Sequence, residues 1–347
     1  MCSFCDQRNI TGKTSAPTPE SVVQVIEQAI KTKKTLASES EIAFFGGSFT
    51  AIDEDYMIRL LGAAYPYVES GCFSGIRVST RPDAIDDHIL ELLHKFKVKS
   101  IELGAQSMDD KVLCLNDRGH DARDVCVASD LIKKYGFSLG LQMMEGLYGS
   151  SAELDLYTAR MFAKLKPDTV RIYPTVVLRG TKLQRLMDAG EYVPMDFDQA
   201  VDLSVNLMMF FEKCGINVIR CGLHDSDSLR ENMVGGIFSP AFREICESRI
   251  FLHKLKEEFK NLQSNKDAFI EELLRERACE LGMEDARFFD LIRYKRADIF
   301  EKQLHGLFIY RLDDNGVRRD LPWRGNDEGK MAYPTHFEYE KFELNNP

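Results

Sequence analysis

The chain contains 347 residues, of which 44% are hydrophobic and 29% are charged, as in a globular protein of one large or two average domains. No apolar run of about 18 residues or more occurs, and the first residues have no apolar stretch, so we expect no transmembrane helix, no secretory signal and a cytoplasmic location. The formal net charge of −10 does not favour non-specific binding to nucleic acid, although it is compatible with a local basic groove.

Strand and helix patterns alternate over the first two thirds of the chain. Short apolar, β-branched runs predict buried parallel strands at Glu41–Phe45, Ile76–Thr80, Val98–Gln106, Ser138–Met144, Thr169–Val177 and Asn217–Leu223. A first helix begins at Pro19, with Thr18 as its cap. Further helices are predicted over Asp53–Val68, Asp86–Phe96, Ala122–Tyr135, Ala152–Leu165 and Phe197–Cys214. This alternation predicts an α/β fold, either a partial β/α barrel or an open doubly wound sheet.

The pattern changes after about residue 262. Asp267–Leu281 is strongly helical, Arg287–Tyr294 continues in that sense, and polar, turn-rich sequence dominates from Leu312 onward. We therefore predict a core over residues 1–255, a junction over 256–266, and a mainly helical and then irregular C-terminal segment over 267–347.

Small and polar residues stand at the carboxyl ends of successive predicted strands. They are Gly46, Gly47 and Ser48, then Ser79 and Thr80, Gln106, Gln142, and Tyr173 and Pro174. Loops at such strand ends form the ligand crevice of β/α folds, so together these residues predict an active site. Singly, each is more simply a tight turn or a satisfied core polar group. Glu102, inside an apolar strand, would be costly to bury without a partner.

Two further features suit ligand binding. Arg118, in the segment NDRGH, carries a planar fork suited to a carboxylate, although a lone arginine in a loop is more often a surface residue. Cys2 and Cys5 form a CxxC pair, whose thiolates can share a zinc ion or an iron–sulfur cluster. No second CxxC supplies further zinc ligands, and two incidental cysteines are the simpler alternative. The other cysteines are expected to be reduced and mostly buried.

Seven ordered segments resemble those of radical S-adenosylmethionine (radical SAM) enzymes related to the catalytic core of the elongator subunit. They are CSFCDQRNITG, FFGGSFT, STRPDAID, IELGAQSMDD, NDRGH, LGLQMM and RIYPT. The resemblance covers about residues 1–255 and implies a partial (β/α)6-type radical SAM barrel lacking its first strand. It also implies a 4Fe-4S cluster and S-adenosylmethionine as cofactors, an external electron donor, and cleavage of S-adenosylmethionine to a 5′-deoxyadenosyl radical. An RNA substrate is implied by the elongator likeness, whereas acetyl transfer is not.

The resemblance also implies roles for individual residues, although it implies no catalytic residue. Cys2 and Cys5 would hold the cluster, and Gly46, Gly47 and Ser48 would receive the amino group of S-adenosylmethionine. The remaining contacts to that cofactor would come from Ser79, Thr80, Gln106, Arg118, Gln142, Tyr173 and Pro174. The family's first cluster cysteine would lie four residues before Cys2, outside the sequence, so we expect an N-terminally truncated core with impaired activity. A proline usual in the family is absent from Leu147-Tyr148-Gly149.

Residues from about Asp267 to Pro347 are similar to a second family. The run LLRERACELGMEDARFFDLIRYKRADIF resembles the late region of SusD/RagB-type outer-membrane glycan-binding lipoproteins, which are not enzymes. Two families from different compartments predict a fusion of two gene fragments, with an ordinary helical domain of the enzyme as the simpler alternative. Two other functions therefore stay open: a SusD-like glycan-binding fragment on a decayed scaffold, and a zinc-binding β/α protein. Measurements of iron content, glycan binding and zinc content would distinguish the radical SAM enzyme, the glycan-binding fragment and the zinc-binding protein.

Overall fold

The computed structural model describes residues 2–5, 16–32, 37–263, 270, 304–312, 318–322 and 337–344. The chain forms two compact units, Met1–His253 and Lys254–Pro347. The helix predicted over Asp267–Leu281 lies outside the described residues except for Ile270, and the pattern over Arg287–Tyr294 lies outside them entirely.

Strands and helices alternate through the first unit. The strands are β1 (Glu41–Phe44), β2 (Gly75–Thr80), β3 (Val98–Gln106), β4 (Ser138–Glu145), β5 (Thr169–Pro174), β6 (Val176–Leu178), β7 (Asn217–Cys221) and β8 (Met233–Gly236). The helices are α1 (Pro19–Thr32), α2 (Glu54–Glu69), α3 (Asp87–Lys95), α4 (Asp110–Leu115), α5 (Ala122–Lys134), α6 (Ala152–Leu165), α7 (Lys182–Asp188), α8 (Phe197–Lys213), α9 (Asp227–Asn232) and α10 (Phe242–Gln263). Helix α10 thus continues into the predicted junction.

Polar caps explain why the helices begin where the sequence predicted. The Thr18 hydroxyl accepts a hydrogen bond from Ser21 N at 3.2 Å, and Asp86 accepts one from Ile89 N at 2.8 Å. The carboxylate of Asp121 accepts the amide of Asp124 in a reciprocal capping box. Each such cap stabilises the helix by about 1 kcal/mol.

The main sheet distinguishes between the two predicted architectures. Its six strands are all parallel and follow the order β1-β2-β3-β4-β5-β7. Because each right-handed crossover leads to the next strand along, the connecting helices all fall on one face of the sheet. A doubly wound sheet would instead reverse its strand order at a switch point. The prediction of a partial barrel is confirmed, and the doubly wound alternative is excluded.

The two faces of this sheet differ in chemistry because successive side chains alternate across each strand. The helix-covered face is apolar and includes Ile76, Ile101, Leu139 and Ile172, each with a relative exposure of 0%. Burial of a side chain of this size stabilises the fold by about 1.5–3 kcal/mol. The opposite face carries polar and charged side chains and forms the concave face of the partial barrel.

The strand predicted over Thr169–Val177 is two strands in the structure. Pro174 ends β5 because proline has no amide hydrogen to continue the ladder. The next residue, Thr175, turns back onto β4, and its backbone N donates to Glu145 O at 3.0 Å. Strand β6 then leaves the main sheet and pairs antiparallel with β8.

The second unit contains β9 (Leu304–Leu312), β10 (Arg318–Pro322) and β11 (Phe337–Leu344), which form an antiparallel sheet in the order β10-β9-β11. The expectation of irregular structure here is wrong. The segment FEYEKFEL alternates apolar and charged residues over much of its length, which is typical of a strand, but its polar content resembles that of a loop. Within the described part of the chain, no helix has the length and apolar character to cross a membrane.

Candidate active site

The loop after β1 forms one side of the crevice at the carboxyl edge of the sheet. Gly46 has φ of +112°, a conformation that glycine adopts without strain. A Cβ built on Gly47 would have no atom within 4 Å, so open space lies beside the backbone there. Ser48 Oγ accepts a hydrogen bond from Arg81 N at 2.9 Å, which fixes the loop to the end of β2. A ligand therefore has direct access to the backbone beside Gly47.

Ser79 and Thr80 lie on opposite faces of β2. Thr80 is buried on the helix-covered side, where its Oγ1 lies 2.6 Å from Thr50 Oγ1. The Thr50 hydroxyl in turn donates to Ala84 O at 2.6 Å. The Thr80 side chain therefore braces the glycine loop from the helix-covered side. The backbone O of Thr80 lies 3.6 Å from a Cβ built on Gly104, at the crevice, so a cofactor contact from this residue stays a prediction for its backbone. Strand alternation leaves Ser79 on the concave face.

Gln106 ends β3 in a strained backbone conformation. Its φ is +68°, which is uncommon for a residue with a side chain, and its pairing with β4 shifts register between Gly104 and Gln106. Its Oε1 is buried without a hydrogen-bond partner among the described residues. Such an atom costs about 1–3 kcal/mol unless a ligand satisfies it. Strain of this kind concentrates at functional sites.

Gly104 makes room for two amide side chains at the same point. A Cβ built on Gly104 would lie 3.0 Å from Gln106 Nε2 and 3.6 Å from Gln142 Oε1. The structure thus brings together Gln106 and Gln142, which the sequence placed on separate strands. A larger residue at Gly104 would push the Gln106 amide away from the crevice.

Arg118 connects this strand edge to the cysteine segment. Its Nη1 donates to Cys2 Sγ at 3.1 Å and its Nη2 to Gly104 O at 2.5 Å. Its Nε is buried and has no partner in the described part of the chain. An unused guanidinium N–H beside the crevice suits a carboxylate. Nearby, His120 Nε2 lies 3.1 Å from Ala105 O, and burial lowers the pKa of His120, so the neutral ring supports the end of β3.

The segment Cys2–Cys5 is anchored and not frayed. Ser3 is fully buried, with its N donating to Asn116 O at 3.0 Å and its Oγ to Asn116 Oδ1 at 2.7 Å. From the other side, Leu183 N donates to Ser3 O at 2.8 Å. The hydrogen bonds of Ser3 argue against two incidental cysteines in a loose terminus. The two thiols on either side of it are partly exposed and so can be reached by a ligand.

The donor set matches one cofactor more fully than the other. The glycine loop, the Gln106 Oε1 acceptor and the Arg118 Nε donor fit the ammonium, hydroxyl and carboxylate groups of S-adenosylmethionine. For the cluster, Cys2 and Cys5 supply two thiolates, whereas the family's cluster takes three. In the described ranges, no group of three or more His, Cys, Asp or Glu side chains gathers where it could hold a metal ion.

An ion-pair network covers the concave face below the crevice. Glu102, with a relative exposure of 1%, lies 2.9 Å from Arg77 Nη1 and 2.7 Å from Arg171 Nε. Arg77 also pairs with Glu41 at 2.5 Å, and Glu41 accepts a hydrogen bond from Ser100 Oγ at 2.7 Å. Burial alone would lower the pKa of Arg171, but Glu102 raises it on balance, so the cation is retained. The expectation that Glu102 needs a partner is confirmed.

The network and an adjacent aromatic ring were missed as site residues. The Arg171 guanidinium lies 4.9 Å from the centroid of the Phe45 ring, which connects the fifth strand to the end of the first across the curled sheet. The available signal was the placement of charged residues within apolar strands, as in EIAFF, IRVST and TVRIYP.

Tyr173 and Pro174 do not share a face. Tyr173 follows Arg171 by two positions and therefore lies on the concave face, beside the Arg171 guanidinium whose pKa it helps to raise. Pro174 is buried on the other face, in register with Glu145. Of the far-side residues predicted, Gln142 and Tyr173 can line the crevice, whereas the Pro174 side chain cannot.

Two buried carboxyl groups stabilise the loop after β4. Burial raises the pKa of Asp155 to about 6, although hydrogen bonds from Ser150 Oγ and Gly146 N lower it in part. Burial likewise raises the pKa of Glu145, which accepts a hydrogen bond from Ser204 Oγ at 2.7 Å. Both groups are therefore harder to ionise in the folded protein than in the unfolded chain.

The raised pKa of Asp155 predicts a pH-dependent loss of stability. The folded-state pKa of about 6 exceeds the ordinary value of 3.8, so the stabilisation is complete below pH 3.8 and is lost as the pH rises through about 6. At about 1.4 kcal/mol per pKa unit, the loss is about 3 kcal/mol. Urea unfolding at pH 4 and pH 7 should show this loss in the wild type and a smaller one in Asp155→Asn. An equal loss in both proteins would contradict the assignment.

Comparisons with known families agree with this geometry. Residues 1–153 match the family model of the Radical SAM superfamily, and residues 167–251 match that of the Radical_SAM C-terminal domain. Residues 244–337 match the SusD family. The first 251 residues of the chain therefore belong to the radical SAM superfamily of enzymes, and a SusD-family match follows them.

Several individual proteins are similar to parts of the chain. An uncharacterized protein of Methanocaldococcus jannaschii is 30% identical over 208 residues, which cover 58% of this chain and 64% of that protein. The tRNA uridine(34) acetyltransferase of Dehalococcoides mccartyi is 31% identical over 44% of this chain and 38% of its own length. Human Elongator complex protein 3 is 30% identical over 48% of this chain and 34% of its own length. The aligned region thus spans less than two thirds of each relative.

A solved structure supports the fold. The archaeal Methanocaldococcus infernus Elp3 with an N-terminal deletion (1-46) superimposes with a TM-score of 0.57 and 24% sequence identity, covering 68% of this chain and 59% of the other. At this level of sequence identity, the similarity is one of fold.

Proposed function

We propose that residues 1–255 form the S-adenosylmethionine-binding core of a radical SAM enzyme that uses a 4Fe-4S cluster and acts on RNA. The observation that carries this proposal is the pair of buried, unpartnered atoms at the carboxyl edge of the sheet, Gln106 Oε1 and Arg118 Nε. One is an acceptor and the other a cationic donor, and both belong to side chains that contact Gly104 through other atoms, Gln106 Nε2 and Arg118 Nη2. Superfamily membership supports the identity of the ligand that would satisfy them.

In this proposal, each side of the crevice binds a different part of the cofactor. The backbone at Gly46, Gly47 and Ser48 receives the ammonium group, and Arg118 binds the carboxylate. Gln106 and Ser79 contact the ribose hydroxyls, while Gln142 and Tyr173 line the far side. Because Arg118 already donates to Cys2 Sγ, the same guanidinium positions the cofactor relative to a cluster ligand.

Cys2 and Cys5 would hold the cluster, whose chemistry is delivery of one electron from an external donor to cleave the sulfonium of S-adenosylmethionine. The chain's own part is to fix this pair of thiols. It does so through Ser3, which is hydrogen-bonded to Asn116 on one side and to Leu183 on the other.

Anaerobic reconstitution with iron and sulfide tests the assignment of the thiols. We expect the wild type to retain protein-bound iron and to release 5′-deoxyadenosine from S-adenosylmethionine under a strong reductant. The double variant Cys2→Ala, Cys5→Ala should lose most of the iron, whereas Cys72→Ala, at an exposed thiol distant in sequence, should not. Equal iron in all three proteins would refute the assignment, and zinc in place of iron would favour the zinc alternative.

RNA is the proposed substrate class because two of the relatives are named as a tRNA-modifying enzyme and an elongator subunit. The concave face offers the exposed aromatic ring of Phe45 near the crevice, whereas Arg77 and Arg171 are paired with Glu41 and Glu102. The net charge of −10 requires that any RNA contact be local.

A second candidate function is glycan binding by the C-terminal segment, which the SusD-family match favours. We assign residues 267–347 to this fragment and residues 256–266 to the junction. Calorimetric titration of the full chain with a panel of soluble oligosaccharides tests the candidate. Saturable heat would support it, and the absence of heat at millimolar concentrations would exclude it.

A further inference from the structure

We propose that Phe45 and Arg220, on the concave face below the cofactor crevice, form a subsite for one unpaired nucleotide of an RNA substrate. The base would stack on the Phe45 ring, and the phosphate would pair with the Arg220 guanidinium. This inference rests on the proposed function and names the residues that would contact its substrate.

Phe45 is a large apolar side chain exposed on a polar face. Its relative exposure is 52%, whereas the preceding Phe44 stacks on Phe49 in the core at a centroid distance of 4.7 Å. Alternation along the strand therefore directs Phe45 to the concave face, where Arg171 lies 4.9 Å from its ring centroid. An aromatic ring left this open in a crevice has a free face for a flat ligand.

Arg171, which lies against this ring, is anchored by Glu102. Its Nη2 donates to Glu102 Oε1 at 2.9 Å, and its Nε lies at an ion-pair distance of 2.7 Å from Glu102 Oε2. Glu102 is almost completely buried and also binds Arg77, so Arg171 cannot swing away without breaking a buried pair. The Phe45 ring therefore rests against an anchored cation on one side.

Arg220 supplies a cation whose charge is not neutralised by a neighbouring acid. It lies directly opposite Arg171 in the β5–β7 register, after a bulge between Val170 and Arg171, and its Nε donates to Gly222 O at 3.1 Å. In the described ranges, no carboxylate forms an ion pair with Arg220, whereas Arg171 is neutralised by Glu102. Like charges on opposed strand positions destabilise a sheet, so an anion at this point would stabilise it.

Phe45 and Arg220 each neighbour Arg171, the first through its ring and the second through the strand register. An exposed aromatic ring combined with an unneutralised arginine is what binds single-stranded nucleic acid. The acidic total charge of −10 disfavours a broad basic interface, and a concave subsite for one nucleotide requires none. The position below the crevice would also place the nucleotide within reach of chemistry initiated there.

Fluorescence anisotropy with a labelled RNA stem-loop of unmodified, uridine-containing loop sequence tests the subsite in the full chain. We expect Phe45→Leu, which keeps the apolar volume but removes the ring, to weaken binding roughly tenfold, and Phe45→Tyr to restore it. Arg220→Gln should weaken binding and reduce the slope of log affinity against log salt by about one. Tyr157→Leu and Arg160→Gln, on the exposed side of α6, are the matched controls and should bind as the wild type does.

Two further measurements separate the outcomes. Equilibrium dialysis with S-adenosylmethionine should give wild-type affinity in Phe45→Leu and Arg220→Gln, and their thermal unfolding should be unchanged. Unaltered RNA affinity in both variants would overturn the subsite while leaving cofactor binding intact. Absence of RNA binding by the wild type would also overturn it. So would an equal loss of affinity by the two variants for double-stranded DNA of the same length, since the subsite is proposed for an unpaired nucleotide. Loss of S-adenosylmethionine binding in the wild type itself would instead refute the proposed function.

Discussion

Replacing Glu102 by alanine is expected to lower the free energy of unfolding by about 3 kcal/mol, because it leaves the largely buried Arg171 without a carboxylate and Arg77 with Glu41 alone. Arg77 and Arg171 lie 2.9 Å and 2.7 Å from Glu102, and Glu102 has a relative exposure of 1%. Without it, Arg171 would be a cation with no ion-pair partner among the described residues, while Arg77 would keep Glu41. Urea unfolding followed by circular dichroism measures the loss.

The matched control is the surface pair of Glu69 and Lys97. These side chains lie 3.0 Å apart but are about half exposed, at 51% and 47%, so Glu69→Ala should cost less than about 1 kcal/mol. If Glu102→Ala were as mild as Glu69→Ala, the concave face would be more hydrated than the structure shows. The support for the Phe45 subsite would then fail with it.

Arg118→Ala is expected to weaken S-adenosylmethionine binding by roughly tenfold to a hundredfold, which corresponds to loss of a hydrogen-bonded charge worth about 1.5–3 kcal/mol. The same change should also reduce the iron retained after reconstitution, because Arg118 Nη1 donates to Cys2 Sγ at 3.1 Å. Arg118→Lys should restore little of either property, since an ammonium group cannot contact Cys2, Gly104 and a ligand at once.

Arg123→Ala, an exposed arginine on α5, provides the control for the loss of one positive charge. Calorimetric titration and iron analysis should give wild-type values for this variant. If Arg118→Ala lowered iron retention without affecting the cofactor affinity, Arg118 would be only a support for the cysteine segment. Normal values of both would remove Arg118 from the site.

Local sequence patterns predicted most of the elements in the first unit. The predicted bounds of β3, Val98–Gln106, and of α6, Ala152–Leu165, match those of the structure, because an apolar run and a serine cap each act over a few residues. The break at Pro174 was missed, since a proline at the end of an apolar run does not reveal that the chain leaves the sheet. The strands of the second unit were missed because alternation in a polar segment is a weak signal.

The site was predicted in part. Ser79, Gln106, Arg118, Gln142 and Tyr173 lie where a strand-end crevice requires them, although their roles stay proposals. The side chains of Thr80 and Pro174 lie on the helix-covered face, so any cofactor contact predicted for these two residues would involve their backbone atoms. The ion-pair network on the concave face depends on how the sheet curls and on which strands lie next to each other, and these are properties of the whole fold. Its members are Glu41, Arg77, Glu102 and Arg171. A single sequence shows the charges but not their partners.

Binding of S-adenosylmethionine by the anaerobically reconstituted chain tests the central proposal most directly. Equilibrium dialysis with radiolabelled cofactor should show saturable binding of about one molecule per chain, displaced by S-adenosylhomocysteine. The affinity for the cofactor should also fall in Arg118→Ala, because the proposal places the ligand at the unpartnered atoms of Gln106 and Arg118. Non-saturable binding, or binding indifferent to Arg118, would contradict the proposal that this crevice holds the cofactor.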